Sequence, residues 1–440
     1  MTQTRTAPPA TTEDWCAIDF GTSNSAVVVP TAAGLAMVPL EDELTTLPTC
    51  VFYLAEGPEL HRLPRRFGRA AIATYVEGVD GRLMRSMKSV LGSSLMEQHT
   101  DIGAGRSVSF SEVIATYLAH LKARAESHAG RRLRRVVLGR PVFFVDDDPA
   151  QDAQAQDALE DAARSVGFDE VGFQFEPIAA AFHYEAQVDT EQRVLVADIG
   201  GGTSDFSVVR VGPDARARSD RRGDVLANHG VHIAGTDFDR RVELGTILRE
   251  LGYGAYGPPE GGRPAREVPS RVYFDLATWH LINSIYRPQR LQELRAMRVN
   301  YAQPEHHQRL MTVVTEHYGH DLLGRAEQAK IEAAGGETAH IDLDLVERRL
   351  QCALSPAQLE AALREDLKRI VATALDTVQM AGLGAADIDA LYFTGGSTGL
   401  NLLTDALAAA FPGAQRVQGE RLASVASGLG LDAQRRYAPL

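Results

Sequence analysis

Two segments of the sequence share one pattern: a strand that ends in an aspartate, a glycine-rich turn, and a second strand. The longer copy runs from Arg193 to Val211 and carries three consecutive glycines between Asp198 and Asp205. Its alternating β-branched residues predict a β-hairpin. Because glycine has no Cβ, such a turn lets backbone N–H groups approach an anion, and the flanking carboxylates suit Mg²⁺. The segment therefore predicts a phosphate-binding turn.

The shorter copy covers residues 15–29, where Asp19 takes the place of Asp198 and Thr22 that of Thr203. The two copies lie about 180 residues apart, which is far longer than a solenoid period. This spacing indicates a duplicated domain. We therefore predict two related lobes that face one nucleotide.

A third glycine turn, at residues 391–399, follows an apolar strand and precedes a helical pattern, so it could hold a ribose or phosphate at a helix N-terminus. It also fits Gly-x-Ser-x-Gly, the nucleophile elbow of α/β-hydrolases. That interpretation fails because the triad histidine should follow the serine, whereas the last histidine, His340, precedes Ser397. Residues 252–257 match Gly-x-Gly-x-x-Gly but lead into prolines, which predicts a loop.

Six motifs occur in the order found in the ATPase domain of the DnaK-type heat-shock chaperones, and the chain resembles that domain. They are residues 19–25, 176–181, 198–205, 235–239, 326–330 and 395–398. The length and the long insertion after Tyr253 are most similar to the short YegD-like branch. Actin and the sugar kinases are wider relatives.

The resemblance implies an α/β, two-lobed actin-like ATPase fold, with two ribonuclease-H-like lobes around a nucleotide cleft and a helical insertion in lobe II. We expect a disordered tail at 1–13 and lobe I at 14–192, with 423–440 returning to it. Lobe II should span 193–422 and include a helical subdomain at about 235–364.

Hydrolysis of a γ-phosphate requires charge neutralisation, an oriented water and geometric restraint. The residues predicted to bind Mg²⁺, by contacts with the water molecules around the ion, are Asp19, Asp198 and Asp205. The predicted catalytic residues are Lys88, Glu176, Asp198 and Thr203. By resemblance, Lys88 approaches the γ-phosphate and Glu176 senses the metal-bound water; a helix N-terminal acid is the alternative for Glu176. The chain has 41 arginines and four lysines, so a lysine at this position favours a specific role.

Backbone amides and hydroxyls of the three turns, with one helix face, form the predicted site for ATP or ADP. Its residues are Gly21, Thr22, Ser23, Asn24, Gly200, Gly201, Gly202, Thr203, Gly235, Glu327, Lys330, Ile331, Gly395, Gly396 and Ser397. Glu327 and Lys330 share a helix face, and the resemblance assigns such a pair to the ribose. Ile331 and Gly399 stand where the family has arginines that stack on adenine, so we expect altered base selectivity.

The formal charge of −13 argues against binding to nucleic acid. Three scattered cysteines indicate a reducing compartment. The polar N-terminus does not resemble a signal peptide, and no apolar run approaches about 18 residues. We therefore expect a cytoplasmic protein that does not contact membranes.

These observations predict a slowly hydrolysing, Mg-dependent ATPase and candidate chaperone that acts through nucleotide-dependent lobe closure. The chain ends at Leu440 without an apolar linker, so we expect no peptide-binding domain of its own. The alternatives are a nucleotide-switched assembly or adaptor protein of the bacterial actin type and a small-molecule kinase. The insertion at 252–365 is the expected surface for a partner or client.

Periodicity and capping residues also predict individual elements. We expect helices at 67–76, 110–128, 149–166, 355–380, 400–411 and 423–434, long helices within 270–335, and a strand at 135–142. The four histidines at 306, 307, 317 and 320 are interpreted as helix-surface residues, not as a metal cluster. Trp279 and Tyr286 are expected in a core or an interface.

Overall fold

A computed structural model describes residues 13–55, 64–85, 87–93, 96, 98–103, 106–145, 148–216, 218, 220–259, 265–419 and 423–437. The expected disordered tail therefore lies outside the described residues except for Glu13. Among the described residues, no helix has the length and apolar character that crossing a membrane requires.

The strands are β1 (Trp15–Phe20), β2 (Asn24–Thr31), β3 (Gly34–Met37), β4 (Thr46–Pro48), β5 (Cys50–Leu54), β6 (Arg65–Phe67), β7 (Gly81–Arg85), β8 (His99–Gly103), β9 (Arg106–Ser109), β10 (Arg135–Arg140), β11 (Glu170–Phe175), β12 (Gln192–Ile199), β13 (Ser204–Val211), β14 (Val225–Val231), β15 (Ala339–Asp342), β16 (Gln351–Leu354), β17 (Ala390–Thr394) and β18 (Gln415–Gln418).

The helices are α1 (Gly68–Val76), α2 (Phe110–Ala129), α3 (Pro149–Ser165), α4 (Glu176–Glu185), α5 (Pro213–Arg216), α6 (Gly235–Gly245), α7 (Ile247–Glu250), α8 (Arg271–Leu276), α9 (Ile282–Ile285), α10 (Pro288–Ala296), α11 (Pro304–Thr315), α12 (Gly319–Ala334), α13 (Pro356–Met380), α14 (Asn401–Ala410) and α15 (Ser424–Tyr437).

Two large sheets have the same strand order and the same pattern of directions. The first runs β3-β2-β1-β10-β11, with β4 added beside β2, and the second runs β14-β13-β12-β17-β18. In each, the three hairpin strands are antiparallel and the last two join in parallel. A duplicated unit is expected to give this arrangement. We call the parts built on these sheets the N-terminal half and the C-terminal half.

Alternate residues of the central strands enter different cores, as the two-residue period of a strand requires. In β1, Ile18 packs into the core of the N-terminal half, whereas Ala17 faces a cluster shared by both halves. In β12, Leu195 packs into the core of the C-terminal half, whereas Val196 faces the same shared cluster. The shared cluster joins the two sheets through α4 and α15.

Helices α4 and α15 cross in close contact within this shared cluster. An added Cβ on Gly428 in α15 would lie 1.8 Å from the carbonyl oxygen of Ala179 in α4. No side chain fits at that distance, so glycine is required by packing at this crossing. The crossing fixes how near the two sheets can approach.

Several helix ends agree with their sequence signals. Ser355 caps α13 by accepting a hydrogen bond from the N–H of Gln358, and Pro356 occupies the first turn. Ser109 caps α2 in the same way, with Glu112 bonding back to the N–H of Ser109.

Two predictions of local structure are wrong. The expected long helices of 270–335 are five helices, α8 to α12, because prolines begin α10 and α11 and break the helical pattern there. The strand expected at 135–142 ends at Arg140, before Pro141. The segment predicted as a helical subdomain also contains the antiparallel hairpin β15–β16.

We predict that Gly428→Ala lowers the free energy of unfolding by about 3 kcal/mol, since the new methyl group overpacks the helix crossing. The matched control is Gly324→Ala in α12, where an added Cβ meets nothing within 4 Å. That change should stabilise the protein by about 0.5 to 1 kcal/mol through helix propensity. Calorimetric melting temperatures measure both effects. Equal shifts for the two variants would contradict the close crossing.

Candidate functional site

The two glycine hairpins meet at their turns. Strands β12 and β13 pair Asp198 with Asp205, and the intervening turn holds Gly201. An added Cβ on Gly201 would lie 3.3 Å from Oγ of Ser23, which belongs to the turn between β1 and β2. The phosphate-binding turns predicted from each half therefore lie side by side, together with the exposed hydroxyl residues Thr22 and Ser23.

The carbonyl oxygens of Gly200 and Gly201 in the triple-glycine turn accept hydrogen bonds from neighbouring segments. Ser397 Oγ donates to the Gly200 oxygen at 2.7 Å, and the Thr236 N–H and hydroxyl both donate to the Gly201 oxygen at 2.8 Å. Within the part of the chain that the structure describes, no hydrogen bond engages the N–H groups of Gly201 and Gly202. These two amides are therefore available to an anion in the cleft.

The third glycine turn lies against the same acid. Gly395 has φ = 87°, and an added Cβ would lie 2.4 Å from the Ile199 oxygen and 2.6 Å from Asp198 Oδ1. Both the left-handed backbone and the close approach require glycine here. Strand β17 pairs Thr394 with Asp198, which sets this turn beside the triple-glycine turn.

The predicted metal-binding carboxylates form one electrostatic cluster. Desolvation, with the nearby charge of Glu176, raises the pKa of Asp19 to about 8. Desolvation, followed by the charges of Asp205 and Glu176, raises the pKa of Asp198 to about 7. Desolvation also raises the pKa of Asp205. The Thr203 hydroxyl, which donates a hydrogen bond of 2.7 Å to this carboxylate, partly offsets the rise. Burial and mutual repulsion therefore favour the neutral forms of these carboxyls, and a cation in the cleft would favour their ionised forms.

The two other predicted catalytic residues form an ion pair with each other. Lys88, in a 3₁₀ turn at 87–90, is buried and donates from Nζ to Oε1 of Glu176, the first residue of α4. Its positive charge partly offsets the rise in the pKa of both Asp19 and Asp198. The structure thus brings the predicted cation to the carboxylate cluster and shows its partner there, which sequence reasoning had not identified.

On α12, Glu327 and Ile331 are exposed, whereas Lys330 Nζ donates to Asp239 Oδ1 at 2.6 Å. Asp239 lies one turn along α6 from Gly235, whose N–H donates to the Gly200 oxygen at 3.3 Å. Helix α6 therefore links the triple-glycine turn to the predicted ribose face. Asp239, the partner of Lys330, was not among the predicted site residues, although it ends one of the six motifs. Its position one helical turn after Gly235 was the signal that could have indicated it.

Direct chelation of a metal by several side chains is not seen: the described residues contain no group of three His, Cys, Asp or Glu side chains arranged to hold an ion. Mg²⁺ usually keeps several waters and is bound by one or two carboxylates together with phosphate oxygens. The paired positions of Asp198 and Asp205, near Asp19, fit that mode of binding.

The interpretation of all four histidines as surface residues is wrong for His307. Its side chain is buried and its Nε2 lies 2.9 Å from the Leu294 oxygen. His317 is exposed but stacks on Tyr286 at 4.0 Å. Helix packing in the insertion creates these sites, and helical periodicity alone does not show it.

We predict that Asp198→Asn raises the melting temperature of the nucleotide-free protein by a few degrees at pH 8. The pKa of Asp198 is raised from 3.8 to about 7, so the folded protein binds more protons than the unfolded chain between these values. Its contribution to stability therefore falls as pH rises through this window, and asparagine removes that loss. The gain should be smaller at pH 5.

The control is Asp220→Asn, because Arg222 lowers the pKa of this exposed aspartate to about 2. That variant should gain no stability at pH 8. A melting temperature for Asp198→Asn that falls at pH 8, or that changes equally at both pH values, would contradict the electrostatic assignment.

Residues 16–244 match the family model described as Hsp70 protein, which is more than half of the 440 residues. The matched range contains both glycine hairpins, Lys88, Glu176 and most of α6. Proteins of this family are chaperone-type ATP-binding proteins that bind nucleotide, generally with Mg²⁺, and client proteins. The family implies an actin-like ATPase fold, and the mixed α/β architecture with several sheets is consistent with it. The chain belongs to the Hsp70 family.

Proposed function

We propose that this protein binds Mg–ATP between its two halves, hydrolyses it slowly, and changes the angle between the halves with the state of the nucleotide. The observation that carries the proposal is the contact of the two glycine turns, where Gly201 of one half approaches Ser23 of the other. Each half supplies amides, hydroxyls and a carboxylate to one place. A ligand bound there touches both halves at once.

The free N–H groups of Gly201 and Gly202 bind the phosphates. Asp19 and Asp198, which lie on opposite hairpins, would hold a hydrated Mg²⁺, and Asp205 would add a third carboxylate. When bound, the metal neutralises phosphate charge and polarises the bond that breaks. Positive charge at this point also favours the ionised forms of all three carboxyls.

Lys88 and Glu176 exchange partners when nucleotide binds. The ion pair with the partly exposed Glu176 compensates the buried charge of Lys88. A γ-phosphate offers Lys88 a second anion, which frees Glu176 to orient a water molecule. Because Glu176 is the first residue of α4, its movement acts directly on the crossing of α4 and α15.

The insertion supplies a surface for a partner or client. Tyr256 is 59% exposed, Phe274 43% and Val299 76%, although all three side chains are large and apolar. Such residues on one segment are typical of interaction surfaces. Ile331, 56% exposed on α12, instead belongs to the proposed base site and packs on the purine without a cation–π contribution.

We predict that calorimetric titration in Mg²⁺ shows millimolar or tighter binding of ATP, with GTP within about tenfold, since the stacking cation is missing. Ile331→Arg should raise the affinity for ATP about tenfold. The control is Met380→Arg, which changes a 61% exposed methionine at the end of α13. Absence of both binding heat and a thermal shift with ATP would overturn the proposed function.

We predict that Lys88→Met reduces steady-state ATP hydrolysis at least about 100-fold while ATP binding changes less than tenfold, because the lysine charge acts mainly on the transferring phosphoryl group. The matched control is Lys122→Met. Lys122 is equally buried and ion-paired, but its partner is Glu126, four residues along α2. Equal losses of hydrolysis in both variants would indicate a structural role for Lys88.

A further inference from the structure

The part of the insertion between α7 and α11 exposes large apolar side chains although it has a packed core of its own. Val299 and Tyr256 are exposed, whereas the nearby Tyr301, Val268 and Leu294 are buried. The core therefore forms without the two exposed side chains. Exposed large apolar residues on a well-packed segment are typical of contact surfaces.

The exposed residues belong to chain segments that lie side by side. The Ala302 N–H donates to the Tyr256 oxygen at 3.2 Å. The Gly257 N–H donates to the Arg266 oxygen at 2.8 Å, and an added Cβ on Gly257 would lie 2.8 Å from the Asn300 oxygen. Three segments therefore form one continuous surface: 255–257, 266–268 and 299–302.

Arginines lie on and beside this surface. Arg298 is next to Val299 in the chain, and Arg295 precedes it by three residues, about one helical turn. Arg266, Arg295 and Arg298 are all exposed, and no ion pair engages them within the described part of the chain. Another arginine of the insertion, Arg290, is instead paired with a glutamate at 2.8 Å. Uncompensated guanidinium groups are thus concentrated around the exposed apolar side chains.

We call this set of side chains the insertion face. It consists of Tyr256, Arg266, Arg295, Arg298 and Val299.

The insertion face is a positive region on an acidic protein. Residues 265–300 contain six arginines and three acids, whereas the whole chain has a formal charge of −13. An acidic partner is therefore repelled by most of the chain and attracted here, which directs its binding to this face. A nucleic acid would place phosphates against Val299, and an aliphatic side chain gains nothing from contact with a charged group.

We propose that the insertion face binds a segment of a partner protein in which carboxylates flank large apolar side chains. This inference rests on the proposed function, in which the insertion contacts a partner or client, and it names the chemistry of that partner. Carboxylates of the segment pair with the guanidinium groups, which can each donate two parallel hydrogen bonds. Its apolar side chains cover Tyr256 and Val299. Tyrosine and arginine are residue types that often dominate binding energy at protein interfaces.

The main test measures the fluorescence anisotropy of labelled peptides mixed with the full chain in the absence of nucleotide. The peptides have about 18 residues, enough for five helical turns. One contains leucine and glutamate in an amphipathic helical pattern, and the other has lysine at every glutamate. The chain should bind the leucine–glutamate peptide at least about tenfold more tightly than the leucine–lysine peptide. Equal affinities, or no binding of the leucine–glutamate peptide at about 1 mM, would overturn the inference.

Substitutions on the insertion face should weaken this binding. Val299→Asp and Arg298→Glu should each raise the Kd of the leucine–glutamate peptide about tenfold, because each places a carboxylate against the acidic segment. Both side chains are exposed, so the melting temperature should change little. An unchanged Kd in both variants would overturn the inference.

The matched controls are Met380→Asp and Arg369→Glu in α13. Met380 is 61% exposed and Arg369 is exposed, so the same changes of charge are made outside the insertion. Both controls should leave the Kd within about twofold, as expected for sites that are not in contact with the peptide. Equal losses in the control variants and in the face variants would indicate a general effect of net charge and would overturn the inference.

Two further titrations separate the alternatives. A labelled single-stranded oligonucleotide that binds more tightly than the leucine–glutamate peptide, and that loses affinity in Arg298→Glu, would identify a nucleic-acid surface and overturn the inference. Titration of the same samples with Mg–ATP tests the proposed function by itself. A chain that binds the peptide but not ATP refutes the proposed nucleotide site and supports the insertion face, whereas one that binds ATP but not the peptide refutes the insertion face alone.

Discussion

The close crossing of α4 and α15 is the constraint on which the rest of this structure depends. Gly428 permits the carbonyl of Ala179 to approach to a distance that no other residue allows. The cluster around that crossing takes apolar residues from β1 and β12 alike, including Ala17 and Val196. Because the same packing fixes both sheets, the turns at the ends of their hairpins meet. The candidate site is therefore a consequence of helix packing some distance from it.

The carboxylates of the cleft carry more negative charge than the nearby lysine compensates. Asp19 and Asp198 are desolvated and near other acids, and Lys88 is shared between these carboxylates and Glu176. Such an arrangement costs stability in the free protein and is relieved by a bound cation. In the proposed function, the charges that weaken the protein on its own are those that favour a metal–nucleotide complex.

Much of this could be predicted from sequence because the signals are local. A triple glycine between two strands predicts a tight turn, and Ser355 followed by proline predicts the start of α13. The failures concern long-range packing. His307 is buried because α10 and α11 meet there, and Asp239 lies beside the predicted ribose face because α12 brings Lys330 to it. The stacking of Tyr75 on Trp279 joins residues about 200 positions apart, and no local pattern links them.

The sequence by itself determined which functional groups and motifs the chain contains. These are two glycine turns flanked by acids, a lysine in an arginine-rich chain, and the order of motifs that identifies the family. These depend on backbone geometry and side-chain type within a few residues. The tertiary structure decided which groups meet. It paired Lys88 with Glu176, placed Gly201 beside Ser23, and joined the halves through Trp279. Such contacts arise from the packing of whole helices and sheets, whose outcome no short stretch of sequence contains.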